Sequence, residues 1–200
     1  SVACSAGETR WFDHVVLATH ADDSLRLIAD ATGSEQRLLS AFAYADNDAV
    51  MHTDTSAMPL RRAAWSSWNY LANSRDDGRS GVLRPSITYW MNRLQGLEGQ
   101  PPVFVTRNPS VEIDPARVIR QRTYRHPLFT EATLAAQKRL WSLQGEGGLW
   151  FCGAWFGAGF HEDGLQSGLA VAEAIGGVRR PWRVADESGR IFLPTANRAC

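Results

Sequence analysis

Lysine is almost missing from this chain: of 21 basic residues all but Lys138 are arginine. Acidic residues also number 21, so the formal net charge is zero, and no one-signed field argues for nucleic acid or an anionic membrane as partner. Cysteine is scarce too. Cys4, Cys152 and Cys200 are odd in number and far apart, which fits neither a disulfide framework nor a zinc site and points to a reducing, cytoplasmic setting. No run approaches the roughly 20 apolar residues of a transmembrane helix. A secretory leader pattern and an initiator Met are both missing, and the opening residues read as one arm of a β-hairpin, so the expectation is a piece of a longer protein. Neither a Gly-x-Ser-x-Gly elbow nor a Walker loop occurs, which removes the signatures of α/β-hydrolases and P-loop enzymes. His161-Glu162 lacks a second His four residues after the first, because position 165 is Leu, so the zinc-helix motif is incomplete and no metal site is expected.

What is present is 200 residues, enough for one large domain or two small ones, with a texture that changes along the chain. Val2–Ser5 and Thr9–Thr19 are β-rich and flank a turn, and Val15–Ala18 suits a strand buried on both faces. Asp22-Asp23 is placed to cap a helix with Leu25, Ile28 and Ala29 on its apolar side; a second helix follows from Ser34 with Leu38, Leu39 and Phe42 inward. Short β-prone runs then occupy Ala49–Thr53, Ala64–Leu71, Ser86–Arg93, Val103–Arg107 and Arg117–Tyr124, separated by turn clusters such as Asn73–Ser80. Helical spacing returns over Thr130–Leu143, Gly145–Gly148 makes a turn, Leu149–Cys152 makes a strand, and a helix of small residues runs over Leu165–Ile175 with Leu165, Leu169, Ala172 and Ile175 in one stripe. One strand is expected in the tail, at Arg190–Leu193. The order reads as a mixed α/β (α+β) fold: 1–42 and 127–178 form an α/β core, 43–126 an antiparallel insertion, and 179–200 a tail.

The densest signal is the segment from Phe151 to Gly168. Strand, glycine loop and helix N-terminus place backbone N–H groups and a positive helix end against an electron-rich ligand. Gly157-x-Gly159 is followed by a five-residue gap to Gly164, longer than the dinucleotide fingerprint allows. Asp163 and Glu162 sit where helix caps sit, and His161 reads either as a packed histidine or as a proton relay. Trp65, Trp68, Tyr70, Tyr89 and Trp90 crowd the β region. Period two puts Trp68 and Tyr70 on one face and Trp65 on the other unless a bulge intervenes. The cluster is either an aromatic core or an apolar substrate pocket, with His52 and Asn69 as its polar members.

Phe151-Cys152-Gly153-Ala154-Trp155, Gly159 to Gly164, and Ser167-Gly168 resemble the C-terminal FAD-binding motif of the flavin-containing amine oxidase superfamily, in particular its bacterial branch of NAD/FAD-binding oxidoreductases. Phe12 to Thr19 is similar to the second, shorter flavoprotein motif. His52-Thr53-Asp54, Met58-Pro59 and Trp65 to Tyr70 fit the same branch, so the resemblance spans 9–177. It implies the C-terminal part of an FAD-dependent oxidoreductase: a partial Rossmann-like FAD domain with an inserted antiparallel substrate domain. The cofactor residues it implies are Thr19, Gly153, Ala154, Trp155, Gly159, His161, Gly164, Leu165 and Gly168. Gly153 and Ala154 would follow the ribityl and pyrophosphate, and the Gly164 and Leu165 N–H groups the N1/O2 edge of the ring. Trp65, Trp68, Tyr70 and His52 would line the substrate pocket, and the substrate would be a small molecule, with a lipid-like one among the candidates.

Two departures follow. Ala154 and Trp155 stand where many members carry an acidic residue for a ribityl hydroxyl. The strand–Gly-x-Gly-x-x-Gly–helix that binds the ADP half is not in these residues, so weak or no FAD binding is expected of this chain alone. No residue stands out as a catalytic base. Two rivals stay open: a nicotinamide-dependent dehydrogenase using Gly157-Ala158-Gly159, and a non-catalytic binding module.

Overall fold

The computed structural model describes residues 1–3, 7–71, 86–97 and 99–194. The turn cluster Asn73–Ser80, Cys4 and Cys200 lie outside these. The chain divides into two compact units, Ser1–Tyr44 with Pro127–Cys200, and Ala45–His126. Together they make a mixed α/β fold with parallel and antiparallel sheets.

The chain opens with β1 (Val2–Ala3) and β2 (Thr9–Arg10), paired antiparallel, followed by β3 (Val15–Leu17). Helix α1 (Ala21–Leu27) carries Asp22 and Asp23 in its first turn, where carboxylates favour the positive helix end, and not at the cap, which is His20. It stops at Leu27, so Ile28 and Ala29 fall outside it, and Ala29 is exposed. Helix α2 (Gly33–Leu39) begins with a reciprocal cap: Thr32 Oγ1 accepts from Glu35 N–H at 3.2 Å, and the Glu35 carboxylate accepts from Thr32 N–H at 2.7 Å. Leu38, Leu39 and Phe42 enter the core as their spacing predicts.

The second unit is built on β4 (Tyr44–His52), β5 (Trp68–Leu71), β6 (Ser86–Trp90), β7 (Phe104–Arg107) and β8 (Val118–Pro127), in the order β5-β6-β7-β4-β8. The run Ser86–Arg93 is not all strand: after Trp90 the chain turns into α3 (Met91–Gln95), closed by Gly96 in the left-handed conformation. Ala64–Leu71 likewise splits into a 3-10 turn at Arg62–Ala64 and β5, because Asn69 holds a bend, accepting from Ser66 N–H and donating to Ser66 O. One face of the sheet is buried, with Met58, Trp65 and Phe104 packed together and a polar chain beneath: His52 Nε2 lies 2.7 Å from Thr106 Oγ1, itself 2.9 Å from Thr88 Oγ1.

The chain then returns through α4 (Glu131–Gln137), β9 (Leu149–Phe151) and α5 (His161–Ala174). The expected helix Thr130–Leu143 breaks after Gln137 and resumes as a 3-10 turn at Leu140–Leu143. β9 pairs with β3 in parallel, Val15 opposite Leu149 and Leu17 opposite Phe151. β3 is not buried on both faces. Val16 is 44% exposed, because no other strand or layer among the described residues covers it. Leu39, Phe42, Leu140, Phe151, Trp155 and Phe156 form the centre of this unit's core. The tail contributes Ile191 to it, but Arg190–Leu193 is no strand; Arg190 N–H goes to Gln166 Oε1 and Ile191 N–H to Ser188 O, so no ladder is available to it.

Candidate functional site

Both motif strands end at the same edge. β3 runs into Ala18-Thr19, and β9 into Cys152-Gly153, with Cys152 N–H donating to Leu17 O at 3.2 Å. Ligands of α/β folds collect beyond the carboxyl ends of parallel strands. At Gly153 φ is +153°, and a methyl there would come within 2.5 Å of Trp155 Nε1, so the position admits no side chain. A 3-10 turn, Ala154–Phe156, follows, closed by Phe156 N–H to Gly153 O. The N–H groups of Ala154 and Trp155 head this turn and find no acceptor among the described residues. At the start of α5 the His161 and Glu162 N–H groups have no intrahelical partner either. α5 packs on the turn at Gly164, where a methyl would make ordinary van der Waals contact with Ala154 N at 3.6 Å.

Buried side chains hold this loop. Ser167, fully buried, accepts from Gly153 N–H at 3.0 Å, and its hydroxyl donates to Gly153 O at 3.1 Å or Gly164 O at 3.0 Å. Gln137 donates to Trp155 O at 2.9 Å and Gly157 O at 2.6 Å. Asp163, also buried, accepts from Phe160 N–H at 2.7 Å and from Arg190 Nε at 2.7 Å. Sequence reasoning missed Ser167, Gln137 and Arg190 as organisers. The one signal was a set of polar side chains, Gln137 in α4 and Ser167 in α5, in helices rich in small residues.

The helix starts at His161, four residues before the expected Leu165, and this changes the roles written for Gly164 and Leu165. Gly164 N–H is spent on Phe160 O, so the donors that remain free are those of His161 and Glu162. The stripe Leu165, Leu169, Ala172, Ile175 is not the buried one. α5 turns Asp163, Gln166, Ser167, Ala170 and Val171 inward, and Leu165 is 54% exposed.

Of the other expected residues, Thr19 is exposed, with Oγ1 2.8 Å from Ser24 Oγ and its carbonyl accepting from Trp155 Nε1 at 3.0 Å. The Trp155 ring sits in the core, 5.0 Å from Phe42, centroid to centroid. Gly159 and His161 are exposed at the loop, and nothing lies within 4 Å of where a Gly168 methyl would be. Trp65, His52, Trp68 and Tyr70 do not form one pocket: Trp65 and His52 are buried, whereas Trp68 and Tyr70 are 66% and 64% exposed. His52 shares its face of the sheet with buried Asn69, and burial holds its imidazole below its ordinary pKa. Cys152 is buried and its thiol is pushed up by desolvation, which removes it as a nucleophile. His20, Asp22 and Asp23 bring their ligand atoms within 4.8 Å of one another, but Arg26 pairs with both carboxylates.

The Gly157-Ala158-Gly159 loop is filled from within. A methyl at Gly157 would lie 2.5 Å from Asp163 Oδ1, and no strand follows α5 among the described residues, as a nicotinamide-binding unit requires. In sequence, the chain matches no protein-family model and no curated protein. No described helix is long and apolar enough to cross a membrane.

Proposed function

We propose that this chain is the flavin-ring side of an FAD-dependent oxidoreductase of the amine-oxidase type, which passes a hydride from a small, largely apolar substrate to its flavin. In this reading 1–44 and 127–200 are part of a Rossmann-like FAD domain, and 45–126 is the substrate domain. One observation carries the reading. At the carboxyl ends of β3 and β9, the turn at Ala154-Trp155 and the start of α5 offer four uncommitted backbone N–H groups. Backbone donors at a helix end stabilise negative charge without a mobile counter-ion, which suits a cofactor that is anionic along its pyrophosphate and, when reduced, at its ring edge. The cofactor supplies the electron sink, so the protein's tasks are to bind, orient and exclude water. Ser167 and Gln137 hold the donor turn in place through its backbone. Ala154 provides no acceptor side chain for a ribityl hydroxyl, so contacts there come from the main chain.

The test uses the product of the complete gene. It is expected to purify with FAD, seen as visible absorbance that dithionite bleaches, while the 200-residue chain alone retains little. Ala154→Pro removes one donor at the first position of a 3-10 turn, where proline is tolerated. FAD affinity is expected to fall about tenfold, the worth of a charge-assisted hydrogen bond, with the cofactor-free melting temperature unchanged. A complete gene product that binds no flavin, or a proline variant that binds FAD as tightly as wild type, overturns the reading.

A further inference from the structure

The five-stranded sheet has a second face, and it is open. Register arranges it in two rows, Trp68–Tyr89–Val105–Met51 and Tyr70–Ile87–Arg107–Ala49, each running from β5 to β4. β8 adds Arg120, Arg122 and Tyr124, which with Ala49, Met51 and Val105 line an open groove of about 360 Å³. Such a face invites a ligand, and its chemistry is uneven. Aromatic rings lie on the β5–β6 side, where Trp68 and Tyr89 have centroids 6.2 Å apart. Cations lie on the β7–β8 side. Arg107, Arg120 and Arg122 have no carboxylate partner among the described residues, whereas Arg117, at the foot of β8, pairs with Asp114. The Nε of Arg107 is buried with no acceptor among the described residues, so the end of its guanidinium, and not Nε, is what this side chain can present toward Arg120 and Arg122. Ala49, opposite Arg107 in register, is the smallest side chain of its row and lines the groove.

We infer that this face binds a small amphipathic anion. Its carboxylate or phosphate is held among Arg107, Arg120 and Arg122, and its apolar body lies along Val105 and Tyr89 toward Trp68. The arginine fork matches either oxyanion in two-point contact. From β4 to β5 is three strand steps, about 14 Å at the usual interstrand spacing, which sets the length of the body as that of a medium alkyl chain or fused rings. Single-stranded nucleic acid asks for a different layout, cations tracking the backbone alongside the stacking rings and not gathered at one end. That this anion is the substrate rests on the flavin reading; its binding does not, and the measurement needs no flavin.

Calorimetric titration of the 200-residue chain with decanoate and with decyl phosphate, below their micellar concentrations, is expected to give one site for one or both. Decanol and acetate are each expected to bind at least tenfold more weakly, because each supplies only half of the recognition. Arg120→Gln with Arg122→Gln, both exposed on β8, should weaken the anion tenfold or more, and Trp68→Ala severalfold, with circular dichroism unchanged. The inference is overturned if neither anion binds, if decanol binds as tightly as the anions, or if the double arginine variant keeps wild-type affinity. It is equally overturned if binding is seen only to anionic phospholipid vesicles, or if a thymidine oligonucleotide binds more tightly than either anion.

Discussion

Removing the Ser167 hydroxyl tests whether α5 organises the Gly153 turn. In Ser167→Ala the Gly153 N–H loses its acceptor, and either Gly153 O or Gly164 O loses a donor, at a position with no solvent access. A buried donor left unsatisfied costs about 1–3 kcal/mol. Alanine returns up to about 0.5 kcal/mol through better helix propensity. The net expectation is a destabilisation of about 2 kcal/mol. With a urea dependence near 2 kcal/mol/M, this moves the unfolding midpoint down by about 1 M. The control is Ser142→Ala, whose exposed hydroxyl donates to Arg139 O at 2.8 Å and whose loss should cost less than about 0.5 kcal/mol. Hydrogen exchange localises the effect: the Gly153 amide should lose protection in Ser167→Ala and keep it in the control. A midpoint equal to that of Ser142→Ala, or an unchanged Gly153 exchange rate, refutes the argument.

Two further outcomes are expected. Burial depresses the His52 pKa against the weaker opposing pull of Asp54, so the unfolded chain takes up the proton first; stability should fall as pH drops below the ordinary value of 6.5 toward the folded value, and be flat above it. Urea midpoints between pH 5.0 and 7.5 should show this slope in wild type and a shallower one in His52→Gln, and equal slopes would refute it. Arg180, nearly buried, donates from Nε and from its backbone N–H to Glu173 Oε1 at 2.7 and 3.1 Å, tying the tail to the end of α5. Arg180→Ala should speed amide exchange over 179–194 by about tenfold, the scale of a lost charge-assisted bond; unchanged exchange would mean that the Asp163–Arg190 pair and Ile191 hold the tail unaided.

Local signals were legible where neighbours in sequence are also the physical cause. Leu149–Phe151 is a short apolar run bounded by glycines, and it is a strand. Leu38, Leu39 and Phe42 keep helical spacing and are core. Alternation put Trp68 and Tyr70 on one face of β5, because side chains in a strand change face at every residue, whereas Trp65 is buried from the turn that precedes the strand. Legibility failed where the partner is distant. The start of α5 was read four residues late because Asp163 reaches back to Phe160 N–H, which makes Gly164 a helical residue and not a loop glycine. The inward side of α5 was misread because Ser167 and Gln166 are buried by bonds to Gly153 and Arg190, 14 and 24 residues away. Arg190–Leu193 has strand-like residues, but its backbone bonds go to Gln166 and Ser188 and not to a strand edge.

The sequence by itself determined the menu of elements and a mixed α/β class, since hydrophobic period and glycine placement act over one or two turns of chain. It also marked Gly153 and the loop after β9 as a place where backbone must stay uncovered. Only the tertiary structure decided which N–H groups remain free there. That depends on where α5 begins and on which carbonyls and carboxylates the fold brings to Ala154, Phe160 and Gly164. It likewise decided that Trp68 and Tyr70 share an open face with Arg107, Arg120 and Arg122. Strand order places them together, and strand order is set by pairing between segments far apart in the chain.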